Sequence, residues 1–288
     1  MGVLVSVPQL QELLDSDRRP VLLDVRWVLG SDDGREQYLQ EHLPGAVYVD
    51  MDSELSAPPV PEEGRHPLPD PASFAEAARS WGLNPGDTVV AYDDAAGTAA
   101  ARAWWLLRHA GWQDVYLLDG GLAAWRAAGL PLDGGPVVPE PGTAQLSWDR
   151  MPVAGLRDAA RIAARGVLVD ARAPERYRGD TEPADPKAGH IPGAVNRPST
   201  ENLFPDGTFR SSGELRKAFE ALGIQPDLPV AAYCGSGIFA SHEVAALEQA
   251  GISAALYPGS WSQWSNTPGA PVATGAEPGS AESLPEKG

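Results

Sequence analysis

The chain is poor in cysteine and in positive charge. Cys234 is the only cysteine among 288 residues, so an internal disulfide is impossible and a metal cluster held by thiolates is not expected. Lysine and arginine number 22 against 39 aspartates and glutamates, which gives a formal net charge of -17. Because nucleic-acid binding depends on basic residues that neutralise phosphates, we expect no nucleic-acid partner.

Long hydrophobic runs are also missing. No run approaches membrane-spanning length, and the N-terminal segment has neither a basic stretch ahead of an apolar one nor a small-residue cleavage pattern. We therefore expect a cytoplasmic protein without a membrane partner. Hydrophobic residues make up 43% of the 288, enough for a sizeable core, and this length favours two domains over one.

Four segments occur twice, in the same order and at a nearly constant spacing. They are an apolar run ending in Asp-x-Arg, a His-x-Pro-Gly-Ala turn, an apolar run ending in tyrosine, and a glycine-led segment ending in tryptophan. The two copies of each lie at 24–26 and 170–172, 42–46 and 190–194, 89–92 and 230–233, and 120–125 and 259–264. This order indicates a duplication, and the long period indicates that each copy is a domain.

Each copy alternates short β-branched runs with amphipathic helical patterns, which predicts an α/β fold with a mostly parallel sheet flanked by helices. The region between the copies is rich in proline and glycine and has neither periodicity. The predicted parts are an N-terminal domain over 1–133, a linker over 134–151, a C-terminal domain over 152–273 and a flexible tail over 274–288.

Cys234 stands between the predicted strand 230–233 and a predicted helix, in the order strand, tight turn, helix. Ligands of open α/β sheets bind at the carboxyl ends of the strands, which is where Cys234 would lie. Gly235 and Gly237 let the loop curl with its amide N–H groups pointing inward, where they would stabilise an anion. We therefore interpret Cys234 as a nucleophile with a lowered pKa, although most free cysteines are simply small buried residues.

Two reactions use a thiolate in such a cradle. A cysteine phosphatase needs an arginine at the end of the loop to grip the phosphate, but Ala240, Ser241 and His242 follow the six residues from Cys234 to Phe239. Phosphate-ester cleavage is therefore disfavoured. Sulfur transfer needs only the ring of amide donors around the persulfide.

Together these motifs resemble the two-domain rhodanese-type sulfurtransferases over nearly the whole chain. The Cys234-Gly235-Ser236-Gly237 loop is similar to that of the 3-mercaptopyruvate branch, whereas the thiosulfate branch tends to carry a basic residue directly after the cysteine. The resemblance implies two tandem rhodanese-like domains, each a mostly parallel sheet flanked by helices. Only the second would be catalytic, because Asp93 stands at the cysteine position of the first. No metal or organic cofactor is implied.

The resemblance also implies residue roles. Arg178 falls at a position that holds the donor carboxylate, and Lys187 lies near a second such position that is usually arginine, although Arg178 could instead be a surface ion-pair partner. A proton relay in this branch matches Ser236, and approximately His66 and Asp52, whose alternatives are a loop histidine and a turn aspartate. The remaining loop positions expected to bind the donor sulfur are Gly235, Gly237, Ile238, Phe239 and Ala240.

Phe239 departs from the small threonine usual in the family, which would narrow the pocket or change the acceptor. His42 and His190 occur in both copies and are therefore expected to be structural.

The implied reaction is a two-step covalent cycle. Cys234 would take a sulfur atom from 3-mercaptopyruvate, a small anionic donor, release pyruvate, and pass the sulfur from its persulfide to an acceptor. Expected acceptors are cyanide, a small thiol or a thioredoxin-like protein. The alternatives are thiosulfate:cyanide sulfur transfer, and a low-turnover persulfide relay protein.

Overall fold

The computed structural model describes residues 2–281 and 284, which form two compact units. Unit 1 holds the residues up to Ala57, Leu68–Met151 and Leu203–Phe209, and unit 2 holds Pro58–Pro67, Pro152–Asn202 and the chain from Arg210 onward. The predicted linker therefore belongs to unit 1. The sequence pattern does not predict that segment 58–67 joins unit 2 or that segment 203–209 joins unit 1.

Unit 1 contains a five-stranded sheet in the order β1-β5-β4-β2-β3, and every pair of neighbours is parallel. Its strands are β1 (Leu4–Val5), β2 (Val21–Asp24), β3 (Val47–Tyr48), β4 (Val89–Tyr92) and β5 (Val115–Leu118). Its helices are α1 (Val7–Asp15), α2 (Gly34–Gln40), α3 (Pro71–Ser80), α4 (Ala100–His109) and α5 (Gly121–Ala127). The central strand β4 is buried along its whole length, as expected for a parallel strand covered on both faces.

Unit 2 contains a four-stranded parallel sheet in the order β7-β6-β8-β9. Its strands are β6 (Val167–Asp170), β7 (Val195–Asn196), β8 (Val230–Tyr233) and β9 (Ala255–Leu256). Its α-helices are α6 (Leu156–Arg165), α7 (Pro174–Arg178), α8 (Ser212–Ala221), α9 (Ile238–Gln249) and α10 (Ser260–Asn266), with a 3-10 turn at Ser199–Asn202. The predicted fold class, two parallel α/β units, is confirmed.

The repeated motifs make the same buried contacts in each unit. The Asp-x-Arg motif forms a buried ion pair, with 3.0 Å between Arg26 and Asp24 in unit 1 and 2.6 Å between Arg172 and Asp170 in unit 2. The two motif histidines stack on tyrosine rings and bond main-chain carbonyls, as their occurrence in both copies predicts. These motifs therefore preserve the fold rather than the chemistry.

The segment after α10 folds back on unit 2. Ala273 exchanges two main-chain hydrogen bonds with His190, and the Gly193 N–H donates to the Pro278 carbonyl at 2.6 Å. Residues 274–281 thus differ from the predicted flexible tail, because backbone hydrogen bonds hold this segment. Residues 282, 283 and 285–288 of the predicted tail lie outside the described residues. Within the described part of the chain, no helix is long and apolar enough to cross a bilayer.

Candidate active site

Cys234 directly follows β8, at the carboxyl end of the central part of the unit 2 sheet, and is 1% exposed. Its Sγ accepts a hydrogen bond from the Gly237 N–H at 3.2 Å. Gly237 has a φ of 84° and begins α9, and a Cβ there would lie 2.6 Å from the Pro258 carbonyl oxygen. Only glycine fits this turn, which directs an amide donor at the sulfur.

The loop is fixed from behind by the start of α10. The Cys234 N–H donates to the Ser260 hydroxyl at 3.1 Å, and the Cys234 carbonyl accepts from the Trp261 N–H at 3.0 Å. One residue further, the Gly235 carbonyl accepts from the Ser262 N–H at 2.9 Å. Because these bonds engage the Cys234 N–H and the carbonyls of Cys234 and Gly235, they hold the loop backbone in one conformation.

Ser236 and His66 form a buried pair, with 2.7 Å between the serine Oγ and the histidine Nδ1. His66 reaches Ser236 because segment 58–67 belongs to unit 2. Asp52, the third predicted relay residue, lies in a turn of unit 1, where burial and the neighbouring Asp50 charge raise its pKa. The structure thus brings two of the three residues together within unit 2.

The predicted donor-binding cations lie differently from expectation. The Arg178 guanidinium pairs with Asp180 at 2.7 Å, and both side chains are well exposed, at 39% and 54%. This is the surface ion pair that the sequence left open as the alternative. Lys187 uses its main-chain carbonyl to accept from the Trp261 indole N–H at 2.9 Å, and among the described residues no ion pair of its ammonium group is seen.

Arg176 is the arginine of α7 that lies against the cysteine loop. A Cβ built on Gly235 would be 3.4 Å from its Nη1 and 3.5 Å from its Nη2. The buried Glu182 carboxylate accepts from the Arg176 Nη2 at 2.6 Å and holds the guanidinium in place. The residue after Cys234 is thus a glycine without a charged side chain, and Arg176 of α7 supplies a positive charge beside Gly235.

The other predicted loop positions begin α9. Ile238 and Ala240 are buried, and Phe239 is half-buried. Of the amide groups from Gly235 to Ala240, that of Gly237 is the one seen donating to Sγ. Over residues 2–281 and 284, no group of three or more histidine, cysteine or acidic side chains is arranged to hold a metal ion.

The corresponding loop of unit 1 follows β4 and carries Asp93 in place of the cysteine. The Asp93 carboxylate accepts four main-chain N–H bonds, each 2.8 Å long. Complete burial raises the pKa of Asp93, and the four amide donors oppose that shift. The donors of this loop come from Ala95, Gly97, Ala99 and Ala100. The loop geometry therefore does surround an anion, here one that is part of the chain.

Comparison with known proteins assigns the family. Two stretches, residues 6–128 and 156–267, match the rhodanese-like domain. The chain belongs to the rhodanese-like family. The first rhodanese-like match covers β2 to β5 of the unit 1 sheet, and the second covers all four strands of the unit 2 sheet.

Relatives of this rhodanese-like chain are sulfurtransferases. A Mycobacterium tuberculosis protein named "Putative thiosulfate sulfurtransferase SseB" is 46% identical over 95% of this chain and 97% of its own length. A Pseudomonas aeruginosa protein named "Probable 3-mercaptopyruvate sulfurtransferase" is also 46% identical, over 94% and 98%. The crystal structure of SseA from Escherichia coli, one of the 3-mercaptopyruvate sulfotransferases, superposes with a TM-score of 0.80 at 32% identity, covering 91% of this chain and 99% of that one. The chain is thus a sulfurtransferase of the thiosulfate or 3-mercaptopyruvate type.

Sequence reasoning missed two arginines of the rhodanese-like unit 2. Arg176 stands two residues before the predicted Arg178, and Arg65 directly precedes the predicted His66. The available signal was α7 itself: in a helix, residues 176 and 178 point in different directions, so only one of them can face the loop.

Proposed function

We propose that this sulfurtransferase takes its sulfur atom from 3-mercaptopyruvate onto Cys234 and releases pyruvate. The observation that carries the proposal is the loop itself. It presents the buried Cys234 thiol to the Gly237 amide, and two residues on it carries Ser236, which His66 of segment 58–67 contacts. A nucleophile, an amide N–H donor for its negative charge and an adjacent proton-transfer pair are what a covalent sulfur transfer with a protonation step requires.

In the first step the Cys234 thiolate attacks the sulfur of 3-mercaptopyruvate, and an S–S bond forms while the carbon–sulfur bond breaks. The electron pair of the broken bond stays on the departing carbon as the enolate of pyruvate. Protonation of that carbon gives pyruvate, and the persulfide is left as an anion after its own proton departs. A lone pair of the Cys234 thiolate becomes the S–S bond, and the two electrons of the carbon–sulfur bond leave with pyruvate, so the step needs no external oxidant or reductant.

Ser236 and His66 are proposed to move the proton in this step. The 2.7 Å bond between them lets the serine hydroxyl pass a proton along to or from the imidazole. The Gly237 amide would then stabilise the persulfide sulfur, as four amides stabilise the carboxylate of Asp93 in unit 1.

The second step is nucleophilic attack on the outer sulfur by an acceptor. With cyanide, a carbon–sulfur bond forms, the S–S bond breaks and the Cys234 thiolate is regenerated with thiocyanate as product. A small thiol or a thioredoxin-like protein is the proposed acceptor in the cell, and a cytoplasmic location would keep such thiols reduced.

Two features favour 3-mercaptopyruvate over thiosulfate. The residue after the nucleophile is Gly235, whereas the thiosulfate branch tends to carry a basic residue at that position of the chain. Arg176, beside Gly235, presents a planar guanidinium that suits a carboxylate. Some relatives are named for thiosulfate and others for 3-mercaptopyruvate, so a kinetic comparison of the two donors is the deciding test.

The test compares the wild type with Cys234→Ser, using each donor in turn and cyanide as the common acceptor. We expect pyruvate release that far outpaces thiosulfate turnover, and at least a ~1000-fold loss in the variant, because an alkoxide cannot carry the transferred sulfur. Mass spectrometry should find one added sulfur atom on the wild type and none on the variant. A preference for thiosulfate would overturn the donor, and sulfur uptake without turnover would point to a relay protein.

A further inference from the structure

Two guanidinium groups, not one, lie against the residue that follows the nucleophile. A Cβ built on Gly235 would be 3.1 Å from Nη2 of Arg65, closer than the 3.4 Å to Nη1 of Arg176. Arg65 comes from segment 58–67 and Arg176 from α7, so two separate parts of unit 2 converge on this point. A side chain at position 235 would occupy the space that the pair borders.

Two buried carboxylates hold this arginine pair. Asp185, with a side chain 1% exposed, forms an ion pair with Nη1 of Arg65 and lies 3.6 Å from Nη2 of Arg176. Glu182, 3% exposed, bonds Arg176 and lies 3.4 Å from Arg172. Because one carboxylate contacts both members of the pair, the two like charges can lie close together in a largely buried place.

The arginine pair keeps unused hydrogen-bonding capacity. The Nε–H groups of Arg65 and Arg176 are both buried and have no partner among residues 2–281 and 284. Buried donors without a partner are uncommon and typically await a ligand or water. Both groups are charged, so an anionic acceptor would gain most from them.

The charges of the surrounding cluster balance. Three guanidiniums (Arg65, Arg172, Arg176) face three carboxylates (Asp170, Glu182, Asp185) through ion pairs. Because the cluster holds no excess positive charge, each negative charge of a ligand is buried without full compensation, and a headgroup with one charge costs less to bind there than one with two. A single carboxylate fits both the charge and the planar geometry of a guanidinium.

We propose that Arg65 binds the carboxylate of the sulfur donor together with Arg176, with Asp185 as the residue that positions both. This inference rests on the proposed function and deepens it. Arg65 takes the place of the second basic residue that the family resemblance assigns near Lys187. The donor class is therefore an α-keto acid thiol with one carboxylate, gripped beside Gly235 while its sulfur meets Cys234.

The experiment measures KM and kcat for 3-mercaptopyruvate with cyanide as acceptor, in the wild type, Arg65→Gln, Arg65→Lys and Arg161→Gln. Losing a charged hydrogen bond in such a site raises KM roughly 10- to 100-fold. We expect that rise for Arg65→Gln at a kcat within about threefold, since the interaction holds donor and transition state alike. Arg65→Lys keeps the positive charge but loses the paired N–H donors of the guanidinium, so its KM should lie between those of the wild type and Arg65→Gln. Arg161→Gln, which removes an exposed arginine of α6 that pairs with Asp158, is the matched control and should stay within about twofold.

A second readout separates binding from structure. The competitive inhibition constant of pyruvate should rise in Arg65→Gln by a factor similar to that of KM, while the melting temperature of the folded variant stays close to that of the wild type. If Arg65→Gln does not fold, the KM of Arg65→Lys decides. A KM within twofold of the wild type in the folded Arg65 variants overturns the proposal. A wild type without 3-mercaptopyruvate turnover instead overturns the proposed function, and the two failures are thus distinct.

Discussion

The loops that follow β4 and β8 occupy corresponding positions in the two copies, but one carries the carboxylate of Asp93 and the other the thiol of Cys234. In unit 1, Asp93 fills its loop with a carboxylate that accepts four amide N–H bonds of 2.8 Å. In unit 2, the Cys234 sulfur accepts one, from Gly237 at 3.2 Å. In unit 1 the Asp93 carboxylate satisfies four amide donors of its own loop. In unit 2 the Cys234 sulfur accepts from only one amide of its loop.

This difference separates stability from reactivity. A carboxylate bonded by four amides is a poor nucleophile and cannot carry a persulfide, so we expect the Asp93 loop to contribute to folding alone. The Cys234 loop leaves amide capacity for a sulfur that arrives during the reaction. The duplication has therefore produced one loop stabilised by a permanent anion and one suited to a transient anion.

The largest expected effect on stability comes from emptying the unit 1 loop. Asp93→Ala leaves four buried amide donors without their acceptor, and we expect a loss of about 3–5 kcal/mol in the free energy of unfolding. Cys234→Ala removes the acceptor of one donor and should cost about 1–2 kcal/mol. Urea unfolding of both variants measures the two losses.

Hydrogen exchange provides the internal control for this pair of variants. The Gly97 and Ala99 amides should lose protection in Asp93→Ala and keep it in Cys234→Ala. Asp93→Asn, which retains one acceptor oxygen, should lie between. Equal losses for the alanine variants would mean that the Asp93 carboxylate contributes no more than an ordinary buried side chain.

The sequence was sufficient to predict the fold and the place of Cys234 between a strand and a helix, because both depend on local patterns. Strands such as Val89–Tyr92 and Val230–Tyr233 are continuous apolar runs, and the turn after Cys234 needs glycine at 237. The repeat then implied that each pattern recurs as a parallel α/β unit. Each of these signals lies within a few consecutive residues.

The charged part of the site was not predictable in the same way. Arg65 and Arg176 are far apart in sequence and meet only because segment 58–67 belongs to unit 2. Which arginine of α7 faces the loop depends on the rotation of a five-residue helix, and the sequence pattern around Arg178 does not fix it. Long-range packing rather than local propensity decides such contacts, so the donor-binding role expected of Arg178, which pairs with Asp180 in the structure, stays a prediction.

The two units also differ in the helix that follows each loop, at the position nine residues after Asp93 and after Cys234. Arg102 is buried in α4 of unit 1, whereas Glu243 is buried in α9 of unit 2. Asn202 donates to one Glu243 oxygen at 2.6 Å, and Arg197 lies 4.0 Å from the other. Burial raises the pKa of Glu243 from 4.5 to about 8, against the opposing charge of Arg197.

This raised pKa predicts a pH-dependent stability. As pH rises above 4.5, the unfolded chain releases the Glu243 proton first, so folding loses stability until the pH reaches about 8, where the folded protein also releases it. Glu243→Gln should remove a slope on the order of 1 kcal/mol per pH unit across that window. Melting temperatures at several pH values measure it. Arg102→Gln, which removes a charge that does not titrate there, should retain the wild-type slope; a Glu243→Gln curve parallel to the wild type would contradict the prediction.

The backbone behind the two loops also differs, at Gly121 in unit 1 and Ser260 in unit 2. Both have a left-handed φ, 55° and 53°. A Cβ on Gly121 would lie 2.5 Å from the Asp93 carbonyl oxygen, so Gly121→Ala should cost about 2–3 kcal/mol through strain and close contact. Ser260 carries a side chain in the same conformation and uses its hydroxyl to accept the Cys234 N–H at 3.1 Å.

Two substitutions at Ser260 separate the strain from the hydrogen bond. Ser260→Ala keeps the strained φ and loses the acceptor, so we expect a loss of about 1–2 kcal/mol in the free energy of unfolding. Ser260→Gly also loses the acceptor but relieves the strain, and should cost less than about 1 kcal/mol. Urea unfolding of the two variants under identical conditions measures the difference. If both lose the same free energy, the left-handed serine stores no strain, and the two bonds of its hydroxyl, which accepts from the Cys234 N–H and donates to the Tyr257 carbonyl, explain why unit 2 keeps a side chain where unit 1 has glycine.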